Sequence, residues 1–307
     1  GVLVDLEINV VTELKRERLP ENSEKVIQQM IDLAAEIIEK AEIDKTKIVG
    51  VGVGIPGIID ERGRTIRWPQ SLGDKDISVC TSIKDTFEKR LGIPAFVEND
   101  ANAAVLGEKW LGLDRDVRNM VYMFSGVGCG ILINEEIYRG ATGAAGELGI
   151  TSIHASKEYT QEIATQLGRW EMDIGMARHA KEQIEKGEPS VIKDYVHGDL
   201  EKIHFRDIVR AIKEKDALAM KVAEQAGQEL GKKVAFIVNL LNPEVVVIGG
   251  GIEDCGAPLL DSIKSSVKEW SVEEAVTPVK IIPSAFGENA VALGVVGIVA
   301  REVFAQA

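Results

Sequence analysis

Apolar segments that end in glycine alternate with helical segments along this chain, and this alternation limits the fold more than any other feature. KIVGVGVGIPG and EVVVIGGGI are typical of buried strands that run into tight turns. Residues 23–41 instead repeat apolar side chains at three- and four-residue spacing, which predicts an amphipathic helix. Strands that alternate with helices indicate an α/β fold with a partly parallel sheet. A length of 307 residues suits two domains with a cleft between them.

Charge and composition exclude several classes of protein. Apolar residues make up 45% of the chain and charged residues 28%, so the chain is neither disordered nor fibrous in type. A net charge of −13 would repel a nucleic-acid backbone, and DNA is expected to bind only through a module outside these residues. Cys80, Cys129 and Cys255 show no C-x-x-C spacing, and no apolar run reaches the roughly 20 residues that span a bilayer. We therefore expect a cytoplasmic protein that does not associate with membranes.

The stretch VENDANAAVLGE places Asn99 and Asp100 between a predicted strand and a predicted helix. Asparagine and aspartate are both good helix caps, so one interpretation is purely structural. In the other interpretation the Asp100 carboxylate contacts a ligand or accepts a proton as a general base. With an ordinary pKa of about 3.9, Asp100 is expected to be ionised at pH 7. The residues by themselves leave both interpretations open.

Glycines occur in four groups, each at the end of a predicted strand or in a turn. A missing side chain lets backbone N–H groups approach an anion closely, although a single group of this kind is more often a plain turn. None of the groups matches the G-x-x-x-x-G-K-[ST] phosphate loop. The groups are Gly50, Gly52, Gly54 and Gly57; Gly126, Gly128 and Gly130; Gly140, Gly143, Gly146 and Gly149; and Gly249, Gly250 and Gly251.

Taken together and in order, these segments resemble the motifs of the ROK family of bacterial sugar kinases and sugar-responsive repressors. The resemblance runs from Gly1 to about Val303, and its motifs are GVGIPGIID, VENDANAAVLGE, SGVGCGILINEEIYRGATGAAGELG, NLLNPEVVVIGGGI and SAFGENAVALG. It implies the two-lobed actin-like ATPase fold, which is ribonuclease H-like, with the ligand cleft between the lobes. It also implies a homodimer or tetramer. We expect one lobe to contain residues 1–107 and 291–307, and the other to contain residues 108–290.

The same resemblance implies roles for particular residues. Gly57, Asn99, Asp100 and Glu147 match positions that bind the sugar, and in a kinase Asp100 would be the general base. A kinase would also require ATP and Mg²⁺, whereas a regulator requires no cofactor. The residues that match nucleotide-binding positions are Ser125, Gly126, Gly249, Gly250 and Gly251.

Four departures from the family pattern weigh against a kinase. Ile150 stands where the family has a histidine that holds sugar hydroxyls and ligates zinc, and residues 151–175 contain no cysteine. His154 and His179 are therefore interpreted as surface or core residues, and we expect no metal site and no structural zinc. Phe124 replaces a glycine that is frequent beside the phosphates in the family. The sequence also begins after the family's first strand and its Asp-x-Gly-x-Thr phosphate turn.

These observations favour a sugar-binding effector domain of a ROK-type transcriptional regulator, with a DNA-binding helix-turn-helix expected upstream of Gly1. The small-molecule ligand would be a sugar or a sugar derivative, and its binding would shift the angle between the lobes. The alternative is an ATP-dependent, glucokinase-like sugar kinase that acts on a hexose or an amino sugar, with Asp100 as the general base. A third possibility is a catalytically silent relative that only oligomerises.

Overall fold

A computed structural model describes residues 1–16, 23–59, 65–67, 83–112, 116–125, 128–148 and 175–304. The strands are β1 (Val2–Val4), β2 (Val10–Glu13), β3 (Val51–Ile55), β4 (Ile58–Ile59), β5 (Thr65–Arg67), β6 (Ala95–Asn99), β7 (Met120–Phe124), β8 (Gly128–Ile133), β9 (Glu136–Ile137), β10 (Val245–Gly249) and β11 (Lys280–Pro283). The helices are α1 (Ser23–Lys40), α2 (Ile83–Leu91), α3 (Asp100–Gly107), α4 (Met176–Glu185), α5 (Ile192–Tyr195), α6 (Phe205–Lys213), α7 (Ala217–Leu241), α8 (Ala257–Trp270), α9 (Glu273–Val276) and α10 (Ala290–Phe304).

Among the described residues of the first part of the chain, the strands form three two-stranded sheets. β1 pairs with β2 and β4 pairs with β5, both antiparallel, whereas β3 pairs with β6 in parallel. The apolar stripe predicted for residues 23–41 lies on α1, where Ile27 and Ile31 are buried. These side chains share a core with Phe87 of α2 and with Val53 of β3. Residues that recur on one face of a helix therefore cover the parallel strand pair, as the spacing predicts.

A five-stranded sheet follows in the order β11-β10-β7-β8-β9. β10 lies parallel to both β7 and β11, and all five of its residues are buried. β7 and β8 pair antiparallel and form a hairpin. A strand that is buried on both faces needs an apolar run without alternation, which VVVIG supplies. The predicted α/β class with a partly parallel sheet is confirmed.

Helices α7 and α8 cover one face of this sheet and cross each other at close range. A Cβ atom on Gly227 would lie 2.5 Å from the carbonyl oxygen of Leu259, and one on Gly231 would lie 2.6 Å from Cβ of Ser266. Glycines at the contact let the two backbones approach, so the helices pack closely as one layer on the sheet. Met176, Ala180 and Ile184 of α4 join the same core.

Helices α3 and α10 pack against each other between the β3–β6 pair and the five-stranded sheet. A Cβ on Gly294 of α10 would lie 1.8 Å from the carbonyl oxygen of Ala103, which leaves no room for any other residue there. On another side of α3, a Cβ on Gly130 of β8 would lie 2.1 Å from the carbonyl oxygen of Ala101. These two contacts fix the position of α3, whose first residue is Asp100.

A cavity of about 420 Å³ lies among β1, β3, α1 and α10. Its walls are mainly apolar and include Leu33, Ile37, Val295 and Val299, but none of the described site residues predicted from the sequence. The candidate site must therefore be sought elsewhere. Among the helices that the structure describes, none has the combination of length and apolar character needed to cross a membrane.

Candidate functional site

The turn between β6 and α3 is held by Asn99. Its side-chain oxygen accepts a hydrogen bond from the N–H of Asn102 at 3.1 Å, which is the geometry of a helix N-cap. Its side-chain nitrogen donates to the carbonyl oxygen of Gly57 at 3.1 Å. The capping interpretation of this stretch is thus confirmed for Asn99. Gly57 has φ of +150°, so a residue with a side chain would be strained there.

Asp100 follows the cap and is only partly buried. One of its carboxylate oxygens accepts a hydrogen bond from the N–H of Ala101 at 2.8 Å. Burial is the main cause that raises the pKa of Asp100 to about 7, and the negative charge of Glu147 raises it further, while the hydrogen bond from Ala101 acts in the opposite direction. The expectation that Asp100 is fully ionised at pH 7 is therefore wrong, because burial raises its pKa by more than the backbone hydrogen bonds lower it.

The segment that carries Glu147 is tied to the start of β8. The N–H of Cys129 donates to the carbonyl oxygen of Gly146 at 2.9 Å. A Cβ on Gly146 would lie 2.0 Å from the carbonyl oxygen of Cys129, so only glycine fits. Burial and the charge of Glu147 raise the pKa of the Cys129 thiol to about 12. Glu147 thus lies close to both Cys129 and Asp100.

An ion pair that sequence reasoning missed connects these two segments, between a buried glutamate and a partly exposed arginine. Arg139 donates from both terminal nitrogens to the Glu98 carboxylate, at 2.8 and 2.5 Å. Glu98 is 4% exposed and also accepts from the N–H of Asn99 at 2.9 Å. Glu98 precedes the cap residue Asn99, and Arg139 begins the segment that contains Glu147. The ion pair therefore joins the two segments. Both partners stand in motifs visible in the sequence, VEND and YRGATG, but nothing in the spacing shows that they meet.

The residues predicted to bind sugar are therefore brought together. Gly57 and Asn99 are in direct contact, Asp100 is next to Asn99, and Glu147 approaches Asp100 closely enough to affect its pKa. The carboxylates of Asp100 and Glu147 and the backbone carbonyl of Gly57 are hydrogen-bond acceptors. A sugar has several hydroxyl groups that can donate to them. Hydrogen bonds from hydroxyls to an ionised carboxylate are stronger than those between neutral groups.

The residues predicted to bind nucleotide lie at the ends of β7 and β10, and their polar groups are bonded to each other. The N–H of Ser125 donates to the carbonyl oxygen of Gly249 at 2.9 Å, and its hydroxyl donates to the carbonyl oxygen of Gly250 at 2.7 Å. Ser125 is fully buried and has φ of +44°. Gly126, the remaining predicted contact in this turn, lies outside the described residues.

The Glu253 carboxylate bonds the Gly249–Gly251 turn, and the Glu108 carboxylate, which accepts from Ser284 and Ala285, lies near enough to Glu253 to affect its pKa. The N–H of Gly251 donates to Oε2 of Glu253 at 2.8 Å. Oε1 of Glu253 and Oε2 of Glu108 are buried without a hydrogen-bond partner among the described residues. Burial raises the pKa of Glu253 to about 7, and the nearby charge of Glu108 contributes in the same direction. Sequence reasoning missed both glutamates. A phosphate at this turn would compete with the Glu253 carboxylate for the N–H of Gly251.

The two groups flank the same hairpin. Phe124 at the end of β7 pairs with Gly128 at the start of β8, and a Cβ on Gly128 would lie 3.7 Å from the carbonyl oxygen of Gly146. The hairpin therefore separates the segment with Glu147 from the turn at Gly249. No group of three or more metal-ligating side chains occurs in the parts of the chain that are described.

Several predictions about zinc concern residues outside the described ranges, namely Ile150, His154 and the segment 151–174. His179 lies on α4, where its ring is 4.0 Å from a carboxylate oxygen of Glu182. Its side chain is 34% exposed, which agrees with the interpretation of a surface residue.

Comparison with known proteins identifies the family. The model of the ROK family matches residues 1–302. The xylose repressor of Caldicellulosiruptor bescii is 28% identical over 290 residues, which cover 93% of this chain and 71% of the repressor. The glucokinase of Halalkalibacterium halodurans is 32% identical over 265 residues, which cover 82% of this chain and 76% of the kinase. The chain belongs to the ROK family, as its motifs indicate.

Solved structures give the fold. A ROK family glucokinase from Streptomyces griseus, solved with glucose and AMPPNP, is similar with a TM-score of 0.79 at 24% sequence identity. The match covers 97% of this chain and 94% of the glucokinase chain. A ROK family transcriptional regulator, a homologue of the E. coli MLC protein, is similar with a TM-score of 0.76 at 24% sequence identity. The match covers 99% of this chain and 75% of the regulator chain. The two-lobed actin-like fold expected from the sequence is confirmed.

Proposed function

We propose that this chain is the sugar-binding effector domain of a ROK-type transcriptional regulator. One observation carries the proposal: the groups that would contact a nucleotide are bonded to each other, whereas the carboxylates on the sugar side are only partly buried. The Ser125 hydroxyl donates a hydrogen bond to the carbonyl oxygen of Gly250, and the Glu253 carboxylate accepts one from the N–H of Gly251. Asp100 and Glu147 keep part of their surface in contact with solvent.

The sugar would be held by hydroxyl donation to Asp100 and Glu147. Asn99 would act mainly by fixing the turn, since its two polar atoms already bond Asn102 and Gly57. A sugar hydroxyl that donates to Asp100 stabilises its ionised form and so lowers its raised pKa. Binding near neutral pH would therefore release protons, and affinity should rise as the pH increases from 6 to 8.

Xylose and glucose are the sugars to test first, because relatives of this chain are named xylose repressors and glucokinases. We propose lobes of residues 1–107 with 291–307 and of residues 108–290, with the sugar between them. A sugar that binds one relative arrangement of the lobes better would shift the population toward it. DNA would be contacted through a separate module, since a net charge of −13 opposes direct contact with phosphates.

The alternative function is an ATP-dependent sugar kinase. It is favoured by Asp100, whose pKa of about 7 suits a general base at neutral pH. The described nucleotide-side groups do not fit Mg²⁺-ATP well, because a phosphate at the Gly251 N–H would have to displace the Glu253 carboxylate. Phosphoryl transfer depends on positioning and on neutralising charge, and the Glu253 carboxylate at this turn supplies the wrong sign when it is ionised.

Calorimetric titration with xylose and with glucose tests the proposal. Asp100→Ala should abolish binding of the sugar that the unaltered protein binds, without loss of the folded state by circular dichroism. Asp261→Asn is a matched control, because Asp261 is a surface carboxylate of α8 with a side chain that is 73% exposed. Unchanged affinity in Asp100→Ala would remove Asp100 from the site. Failure of the unaltered protein to bind any pentose or hexose would contradict the proposal as a whole.

A further inference from the structure

Glu147 lies on a glycine-rich loop that begins at Arg139 and leads back toward the start of α3. We call residues 139–148 the glycine loop. None of its residues is fully buried. Three of its glycines have φ between +67° and +89°, a region that is strained for a residue with a side chain. Because the loop places no fully buried side chain in the core, its position depends on a few individual contacts.

The glycine loop is held near both of its ends. Near its last residue, the carbonyl oxygen of Gly146 accepts a hydrogen bond from the N–H of Cys129 in β8 at 2.9 Å. At its first residue, Arg139 donates from both terminal nitrogens to the Glu98 carboxylate, at 2.8 and 2.5 Å. A bidentate ion pair of this kind fixes orientation as well as distance. The start of the loop that carries Glu147 is thus attached by one side chain.

Glu98 connects this attachment to the cap of α3. Besides Arg139, it accepts hydrogen bonds from the N–H of Asn99 at 2.9 Å and from the side-chain nitrogen of Asn102 at 3.3 Å. Asn99 and Asn102 are also the two residues that the cap hydrogen bond joins. Asp100 lies between them in the chain. The Glu98 carboxylate therefore joins the glycine loop to the turn that presents Asp100.

Helix α3 is fixed by contacts that do not involve the ion pair. A Cβ on Gly130 would lie 2.1 Å from the carbonyl oxygen of Ala101, and one on Gly294 would lie 1.8 Å from that of Ala103. Both contacts are backbone packing and would survive a change at Arg139. Loss of the ion pair would therefore leave Asp100 in place and release the start of the glycine loop.

We propose that Arg139 is a positioning residue of the sugar site, which acts through Glu98 to hold Glu147 near Asp100. This inference rests on the proposed function, because it assigns a role within the sugar site. Sugar hydroxyls that donate to Asp100 and Glu147 at once require a fixed separation of the two carboxylates. With the loop already in place, the free energy of sugar binding does not include the cost of ordering it.

Calorimetric titration of a double variant, Arg139→Gln with Glu98→Gln, separates positioning from stability. The two substitutions leave the net charge unchanged and leave no buried Glu98 charge unpaired, so the variant should fold. Glutamine is two bonds shorter than arginine and is too short to restore the contact. The double variant should bind the sugar that the unaltered protein binds roughly 10- to 100-fold more weakly, as expected when one hydrogen bond to a charged group is lost.

Arg178→Gln is the matched control. Arg178 lies on α4, donates to Glu182 at 2.7 Å and has a side chain that is 57% exposed. Its replacement also removes an arginine from an ion pair and should leave the affinity for the sugar unchanged. A folded double variant that binds the sugar as tightly as the unaltered protein would overturn the positioning role of Arg139.

The pKa of Asp100 provides a second measurement that needs no sugar. Burial and the charge of Glu147 raise this pKa to about 7, so release of the glycine loop should lower it. NMR titration of the Asp100 carboxyl carbon in the unaltered protein and in the double variant measures the shift. An unchanged pKa would overturn the positioning role, whatever the loss of stability. If the unaltered protein binds no sugar, the proposed function fails, but this comparison still decides whether Arg139 positions Glu147.

Discussion

Replacing Asp100 by asparagine should stabilise the protein in the absence of sugar. Asparagine has nearly the same shape as aspartate and keeps the oxygen that accepts from the N–H of Ala101 at 2.8 Å. It removes only the charge. The charge is costly in the folded state, because burial and Glu147 disfavour the ionised carboxylate.

The magnitude follows from the pKa of Asp100. A rise from 3.8 to about 7 corresponds to about 4 kcal/mol of unfolding free energy, at roughly 1.4 kcal/mol for each pKa unit. Because the side chain is only partly buried, solvent screening reduces this, and we expect roughly 2 kcal/mol. An effect of this size would raise the Tm by several degrees in a protein of this length.

The direction with pH follows from the same values. Below 3.8 the carboxyl is protonated in both states, so its charge costs nothing. As the pH rises toward 7, the unfolded chain ionises while the folded protein resists, and stability is lost progressively until the cost is complete above pH 7. The advantage of Asp100→Asn should therefore be larger at pH 8 than at pH 5.

Urea unfolding of the two proteins at pH 5 and at pH 8 measures the effect. Asp261→Asn on the surface of α8 is again the control, and its stability should follow that of the unaltered protein at both pH values. A stability difference for Asp100→Asn that is absent at pH 8, or that is equal at pH 5 and pH 8, would refute the assignment of a raised pKa to Asp100.

Three further predictions concern other contacts. Arg139→Gln leaves the buried Glu98 charge without its bidentate partner and should lower the unfolding free energy in urea by about 3 kcal/mol. Adding Glu98→Gln should recover most of that stability. A double variant as unstable as the single one would contradict this. Gly294→Ala brings a methyl group to 1.8 Å from the carbonyl oxygen of Ala103 and should cost more than about 3 kcal/mol, so an unchanged Tm would show that α10 does not pack as described. Glu253→Gln should raise the Tm at pH 8 and raise it less at pH 5, because the pKa of Glu253 is about 7; equal increments at both pH values would exclude a charge effect.

Much of the fold could be predicted because the relevant signals are local. The apolar stripe of α1 and the uninterrupted apolar run of β10 each determine an element from neighbouring residues. The capping role of Asn99 belongs to the same category, since it depends on a residue three positions away. Short segments such as α5 carry too few residues for a periodic pattern.

The candidate site was predictable in part. Family motifs indicate Gly57, Asn99, Asp100 and Glu147, and the structure brings these residues together. The pKa of Asp100 could not be predicted, because it depends on burial by distant segments and not on neighbours in sequence.

Long-range polar contacts are what the sequence conceals. Glu98 and Arg139 are 41 positions apart, and neither residue type indicates the other. Glu253 follows the glycines at the end of β10, and a glutamate at that position is typical of an ordinary surface residue. Only the structure shows that its side chain turns back and accepts a hydrogen bond from the N–H of Gly251.

We propose that this chain senses a sugar and does not phosphorylate it. The most direct measurement is mass spectrometry of sugar products after incubation of the protein with Mg²⁺-ATP and the sugar that raises its Tm. We expect a stable complex with the sugar and no sugar phosphate beyond that formed without protein. Sugar phosphate formed in many-fold excess over the protein, and lost in Asp100→Asn, would contradict it and make Asp100 the general base of a kinase.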